Sequence, residues 1–102
     1  MARRLQLHEK LCETLGSRNV YFQPPESLKL KYDCIVYEVA KLDAKRADDM
    51  NYIGRVAYDV TFVSKDPDSV IPEKMMASFL YIEHNRHFTA DNLHHDLFRI
   101  FY

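Results

Sequence analysis

The chain has no tryptophan, two glycines and two cysteines among its 102 residues. Two glycines are too few for a phosphate-cradling loop, whose backbone must approach its ligand with no side chain in the way. The cysteines, Cys12 and Cys34, fall in apolar patterns on an expected helix and an expected strand. They read as small buried hydrophobes and not as a disulfide. An excess of one charge is missing too: 14 Lys and Arg meet 15 Asp and Glu, for a net charge of −1. That balance provides no global field to steer the protein to nucleic acid or anionic lipid. No apolar run approaches the roughly 20 residues that span a bilayer. The opening Met-Ala-Arg-Arg leads into an amphipathic pattern, without the apolar core of a signal peptide. A soluble, cytosolic protein is expected where it is made. What is present is 47% apolar and 28% charged residues, the balance of a globular fold, with seven Tyr and six Phe. At this length 1–102 is one domain, and it shows no internal repeat.

Leu5, Leu7, Leu11, Cys12 and Leu15 recur at spacings of one to four, which predicts a one-faced helix over about 4–15. Gly16 suits the left-handed position that ends it. A strand over 20–22 follows, placed at an edge by Pro24 and Pro25, which can neither continue a helix nor donate to a ladder. Cys34-Ile35-Val36-Tyr37-Glu38-Val39 reads as an internal strand over 34–39, apolar on both faces but for Glu38. From 41 to 53 the pattern dissolves into three charges of each sign, which predicts a flexible connection. A strand over 54–65 sets Val56, Tyr58, Val60 and Phe62 on one face and Ala57, Asp59 and Thr61 on the other. It should pair antiparallel with 34–39, the charged segment forming the tip. Asp66-Pro67-Asp68-Ser69 is turn chemistry, with Asp68 or Ser69 available to cap a helix over 70–81. Pro72 falls in its first turn, and Ile71, Met75, Met76, Phe79 and Leu80 form its apolar stripe. Strands over 82–89 and 95–102 close the chain. Ala90-Asp91-Asn92 lies between them as a turn, unless Asp91 begins one turn of helix. The sum is an α+β fold: a single mixed or antiparallel sheet of four to five strands, with two helices on one face.

Chemistry is harder to find. His84, His87, His94 and His95 crowd together with Asp91 and Asp96, residue types that suit zinc or non-haem iron. Strand alternation, however, sends adjacent His94 and His95 to opposite faces, and splits His84 from His87, three residues on. A shared metal site would need a bend or bulge, so the histidines are expected to decorate a hairpin. Neither cysteine has a base beside it in sequence, and the serines lack nucleophile-elbow motifs. Asp48 and Asp49 lie in the charged loop, where water leaves carboxylates ordinary. The aromatics, Tyr21, Phe22, Tyr32, Tyr37, Tyr52, Tyr58, Tyr81, Phe88, Phe98, Phe101 and Tyr102, exceed what one small core absorbs. Such a surplus, rich in Tyr, fits a surface that meets another subunit.

The segments Leu7-His8-Glu9-Lys10-Leu11, Leu15-Gly16, Asn19-Val20-Tyr21-Phe22-Gln23-Pro24-Pro25 and Cys34-Ile35-Val36-Tyr37 resemble small proteins of long-tailed bacteriophages and prophages. Asp66-Pro67-Asp68-Ser69, Ile71-Pro72 and Asp91-Asn92-Leu93-His94-His95-Asp96 extend the likeness over nearly the whole chain. Those proteins are encoded in the head–tail joining region and are similar to tail terminator or tail completion proteins. The family tends to carry a proline just before the central strand, where this chain has Asp33. The resemblance implies an α+β protein that assembles as a ring, usually a hexamer, on the upper end of the tail tube. There it halts tube polymerisation and offers a surface to the head completion protein. It further implies the host cytoplasm during assembly and the virion afterwards, with no cofactor, membrane or specific nucleic acid. Lys41, Lys45, Arg46, Asp48, Asp49 and Tyr52 would then touch the adjacent subunit or the tube. Gln23, Pro24 and Pro25 would form a stiff feature beside the lumen or the neighbour. Competing readings are a head–tail connector on the portal side, a small metal-dependent enzyme using His84, His87 and Asp91, and a monomeric regulator with an aromatic face.

Overall fold

Helix α1 (Ala2–Leu15) ends at Gly16, whose φ of 81° suits a residue without Cβ and whose N–H reaches the Cys12 carbonyl at 2.8 Å. The structure, a computed structural model, describes residues 2–40 and 56–102. The expected charged tip over 41–53, with Lys41, Lys45, Arg46, Asp48, Asp49 and Tyr52, lies outside the described residues. Leu7 and Leu11, four apart, are fully buried, with Cys12 and Thr14 beside them. Leu5 is 55% exposed, against the expected stripe. Two positions before Leu7 it stands about 200° around the helix and points away from the sheet.

Strand β1 (Val20–Phe22) pairs parallel with β2 (Cys34–Val39), and β2 pairs antiparallel with β3 (Ala57–Ser64), as in Tyr37↔Val60. Helix α2 (Ile71–Ser78) then leads to β4 (Ile82–Ala90), which turns into β5 (Leu93–Phe101). Strand β5 inserts between β3 and β4, antiparallel to both, giving the order β1-β2-β3-β5-β4. The result is the expected α+β fold, an open mixed sheet of five strands with both described helices on one face. Strand β1 is an edge strand and β2 an internal one, as the proline pair and the apolar run predict.

The core fills the space between helices and sheet: Leu7, Leu11, Met75 and Phe79 against Ile35, Tyr37, Val60, Phe62, Phe98 and Ile100. Removing a large side chain from such a site costs about 2–5 kcal/mol. Helix α2 carries Pro72 in its first turn, and the Ile71 N–H donates to Ser69 Oγ at 3.2 Å. Met75 is fully buried and Phe79 nearly so, but Met76 is 45% and Leu80 81% exposed. The stripe is therefore narrower than expected. The helix stops at Ser78 because Phe79 is extended, which carries Leu80 past its end. At the β4–β5 turn Asp91 and Asn92 both have positive φ, the pair a two-residue hairpin demands. They form a turn, not a helix, and β5 starts at Leu93, before the expected 95. The Tyr32–Asp33 peptide is cis.

Candidate interaction surfaces

Strand β4 departs from plain alternation. His84 sits opposite Phe98 and Arg86 opposite Leu97, so Asn85 is an extra residue in a β-bulge. The bulge corrects the expected split: His84 and His87 share the helix-bearing face with Asp96. His84 Nε2 donates to Asp96 Oδ1 at 3.0 Å, and His87 Nδ1 donates to the same oxygen at 2.9 Å. A carboxylate oxygen accepts both, which assigns the ring protons to those nitrogens. The Asp96 side chain is 12% exposed, those of His84 and His87 39% and 46%. His94 and His95 do part to opposite faces, His94 stacking on His87 at 5.8 Å and His95 on Phe88 at 4.6 Å. Among the described residues no three His, Cys, Asp or Glu are disposed to hold a metal ion. The two rings meet at one oxygen, as hydrogen bonds do, and do not surround a common empty point. Asp91 is an exposed turn residue.

Beside this cluster runs an open groove of about 570 Å³ between α2 and the β4–β5 pair, with Pro72, Glu73, Met76 and Ala77 on one wall. His84, Asp96 and Phe98 form its floor. Glu73 is exposed and enters no ion pair among the described residues. Val70 ahead of the helix and Leu80 past its end are also exposed, Leu80 on a separate cavity with Gln6, Lys10, Phe79 and Tyr102. Sequence periodicity placed Met76 and Leu80 in the core and so missed Met76 on the wall of this groove. The signal available for Asp96 was the histidines around it, but the bulge that gathers them has no sequence mark.

The opposite face of the sheet carries no helix among the described residues. Its residues lie in rows across the strands. One row is Tyr21, Val36, Thr61 and Leu97, and the next is Cys34, Val63, His95 and Phe88. A third row is charged: Glu38, Asp59, Arg99 and Glu83. Arg99 Nε donates to Asp59 Oδ1 at 2.9 Å. The Arg86 guanidinium lies 5.0 Å from the centre of the Phe88 ring. This face is therefore mainly apolar at one end of the strands, and beyond the charged row Ala40, Ala57 and Phe101 form a small apolar cluster at the other.

At the β1 edge Gln23 takes a positive φ and turns the chain outward ahead of Pro24. Its N–H donates to the Tyr37 carbonyl at 2.9 Å, while its Oε1 accepts the Val39 N–H at 3.4 Å. The side chain thus supplies the last rung of the β1–β2 ladder. Gln23 and Pro25 are exposed and Pro24 is half-buried, a surface elbow apart from the groove. The connection continues through Leu28-Lys29-Leu30-Lys31-Tyr32, irregular backbone in which the Lys31 N–H donates to Tyr21 Oη.

Under α1, Arg4 Nη1 donates to Tyr37 Oη at 3.3 Å, and the Tyr37 hydroxyl donates to His8 Nδ1 at 2.8 Å. Burial, then the Arg4 charge, lowers the His8 pKa. Burial raises that of Tyr37. The thiols are buried and free; desolvation raises both, Cys34 to about 11. These groups tie helix to sheet and offer no activated nucleophile. No helix is long and apolar enough to cross a membrane among the described residues. No protein-family model, curated protein or solved structure matches the chain.

Proposed function

We propose that this chain is a structural assembly protein of a long-tailed bacteriophage or prophage, which caps the tail tube as a ring and presents the joining surface to the head. It works by contact and not by turnover, and takes no cofactor. The observation that supports the reading is the face of the sheet that carries no helix among the described residues. A domain of this size with both described helices on one side leaves Val36, Leu97, His95 and Phe88 half-exposed on the other. Contiguous apolar surface rimmed by charge is the usual mark of a protein–protein contact. The acidic row of Glu38, Asp59 and Glu83 around Arg99 supplies that rim. The segments that resemble tail terminators supply the identity of the partners: further copies of this chain, the tail tube protein and the head completion protein.

The test is removal of the reading frame from a phage that carries it, followed by electron microscopy of the lysate. Headless tails of excessive length are expected, and a chain lacking residues 44–51 should fail to restore normal ones. Full heads beside tails of normal length would refute the capping role and indicate a connector instead.

A further inference from the structure

Two surfaces at opposite edges of the sheet complement each other in both shape class and charge. The β1–β2 connection presents Leu28 at 43% and Tyr32 at 41% exposure, interleaved with exposed Lys29 and Lys31. Neither lysine enters an ion pair among the described residues. This basic and apolar stretch follows β1, at one end of the strand order, whereas the α2–β4 groove lies at the other end. The groove is the reverse in charge, apolar through Met76, Ala77 and Phe98, with the Glu73 carboxylate, in no ion pair among the described residues, on its wall. Within one copy the two stand at opposite edges of the sheet. Matching surfaces on opposite sides of a subunit join copies head to tail, the heterologous contact that closes into a ring when the rotation allows.

The outer edge of β4 is a weaker candidate for such a contact. Exposed Glu83, Arg86 and the Asn85 bulge interrupt that edge, the devices by which sheets avoid adding strands. We infer that Leu28–Tyr32 of one copy docks into the α2–β4 groove of the next. Lys29 and Lys31 face Glu73, and Leu28 and Tyr32 pack beside Met76 and Ala77. The inference rests on the ring assembly proposed above and names the two surfaces that meet in it. Because the charges lie at a solvated rim, they set register and orientation more than strength. Rising ionic strength weakens the contact.

The probe is an acetylated, amidated and fluorescently labelled pentapeptide with the sequence of residues 28–32, titrated against the full chain by anisotropy. Glu73→Lys and Ala77→Trp, both at exposed positions, should leave the melting temperature unchanged. Each should weaken peptide binding about tenfold, the first by charge and the second by filling the groove. A peptide with glutamate at both lysine positions should fail on the natural chain and bind the Glu73→Lys variant. In the full chain, self-association measured by sedimentation should drop with Glu73→Lys and return when Lys29→Glu and Lys31→Glu are added. Peptide binding indifferent to both groove variants, or association that the combined reversal does not restore, overturns the inference. The two proposals fail separately: normal tails without the protein would refute capping while a working charge swap stands. Over-long tails together with a failed swap would refute the docking alone.

Discussion

Met75 and Met76 are neighbours of the same residue type in the same helix, and only their rotation about its axis separates them. Met75 is fully buried among α1 and the sheet, whereas Met76 is 45% exposed on the wall of the groove. Replacing Met75 by Ala removes a buried side chain from a packed site and leaves a cavity, at about 2–5 kcal/mol. Replacing Met76 by Ala removes partly wetted surface and gains slightly in helix propensity, for a net change within about 0.5 kcal/mol. In a domain of this length each kcal/mol moves the melting temperature by about 4–8 °C. Met75→Ala should therefore melt about 10 °C or more lower, and Met76→Ala within about 3 °C of the parent. Circular dichroism melts give the temperatures, and urea titrations with an unchanged m-value confirm that stability alone has moved. Equal losses at the two positions would refute the rotation of α2, and with it the exposed wall of the groove.

The lowered pKa of His8 gives a limb of acid sensitivity. Its folded value lies below the unfolded 6.5, so the unfolded chain binds the proton first. Stability should fall as pH drops from about 6.5 toward the folded pKa, then level off, and His8→Gln should flatten that limb in pH-dependent melts. Tyr37→Phe removes the hydroxyl that links Arg4 to His8 and should cost about 1 kcal/mol by urea unfolding. No loss at all would show that water replaces the link. Deleting Asn85 removes the extra residue yet keeps His84 and His87 on one face, so the variant should fold with a loss of about 1 kcal/mol. An unfolded deletion would refute the bulge. With a pKa near 11 and no exposed surface, Cys34 should resist iodoacetamide at neutral pH until urea unfolds the chain. Rapid alkylation of the native protein would contradict its burial.

The sheet was legible where a strand has one wet and one dry face. Tyr58, Val60 and Phe62 alternate with Asp59 and Thr61, and all three large residues lie in the core. Punctuation was equally local: Gly16 ends α1, Pro24 ends β1, Pro72 opens α2 and Asp91-Asn92 turns the hairpin. Each of these follows from sterics within a few residues, which is why one chain read alone suffices. The aromatic surplus was partly absorbed, since Tyr37, Tyr58 and Phe98 are buried, while Tyr32 is 41% exposed. The candidate surfaces were less legible. Gln23 reads as part of a stiff elbow, yet its amide completes a ladder, because the Val39 N–H at that edge has no strand residue beyond Phe22 to meet.

Sequence by itself determined the order and kind of the elements, because the spacing of apolar residues and the placing of Gly and Pro act over short stretches of chain. Tertiary structure alone decided that β5 lies between β3 and β4, and which side of α2 meets the sheet. It also decided that Asn85 bulges, so that two histidines reach one carboxylate. Those outcomes depend on pairing between residues far apart in the chain, where register and rotation are settled by the partner and not by the segment.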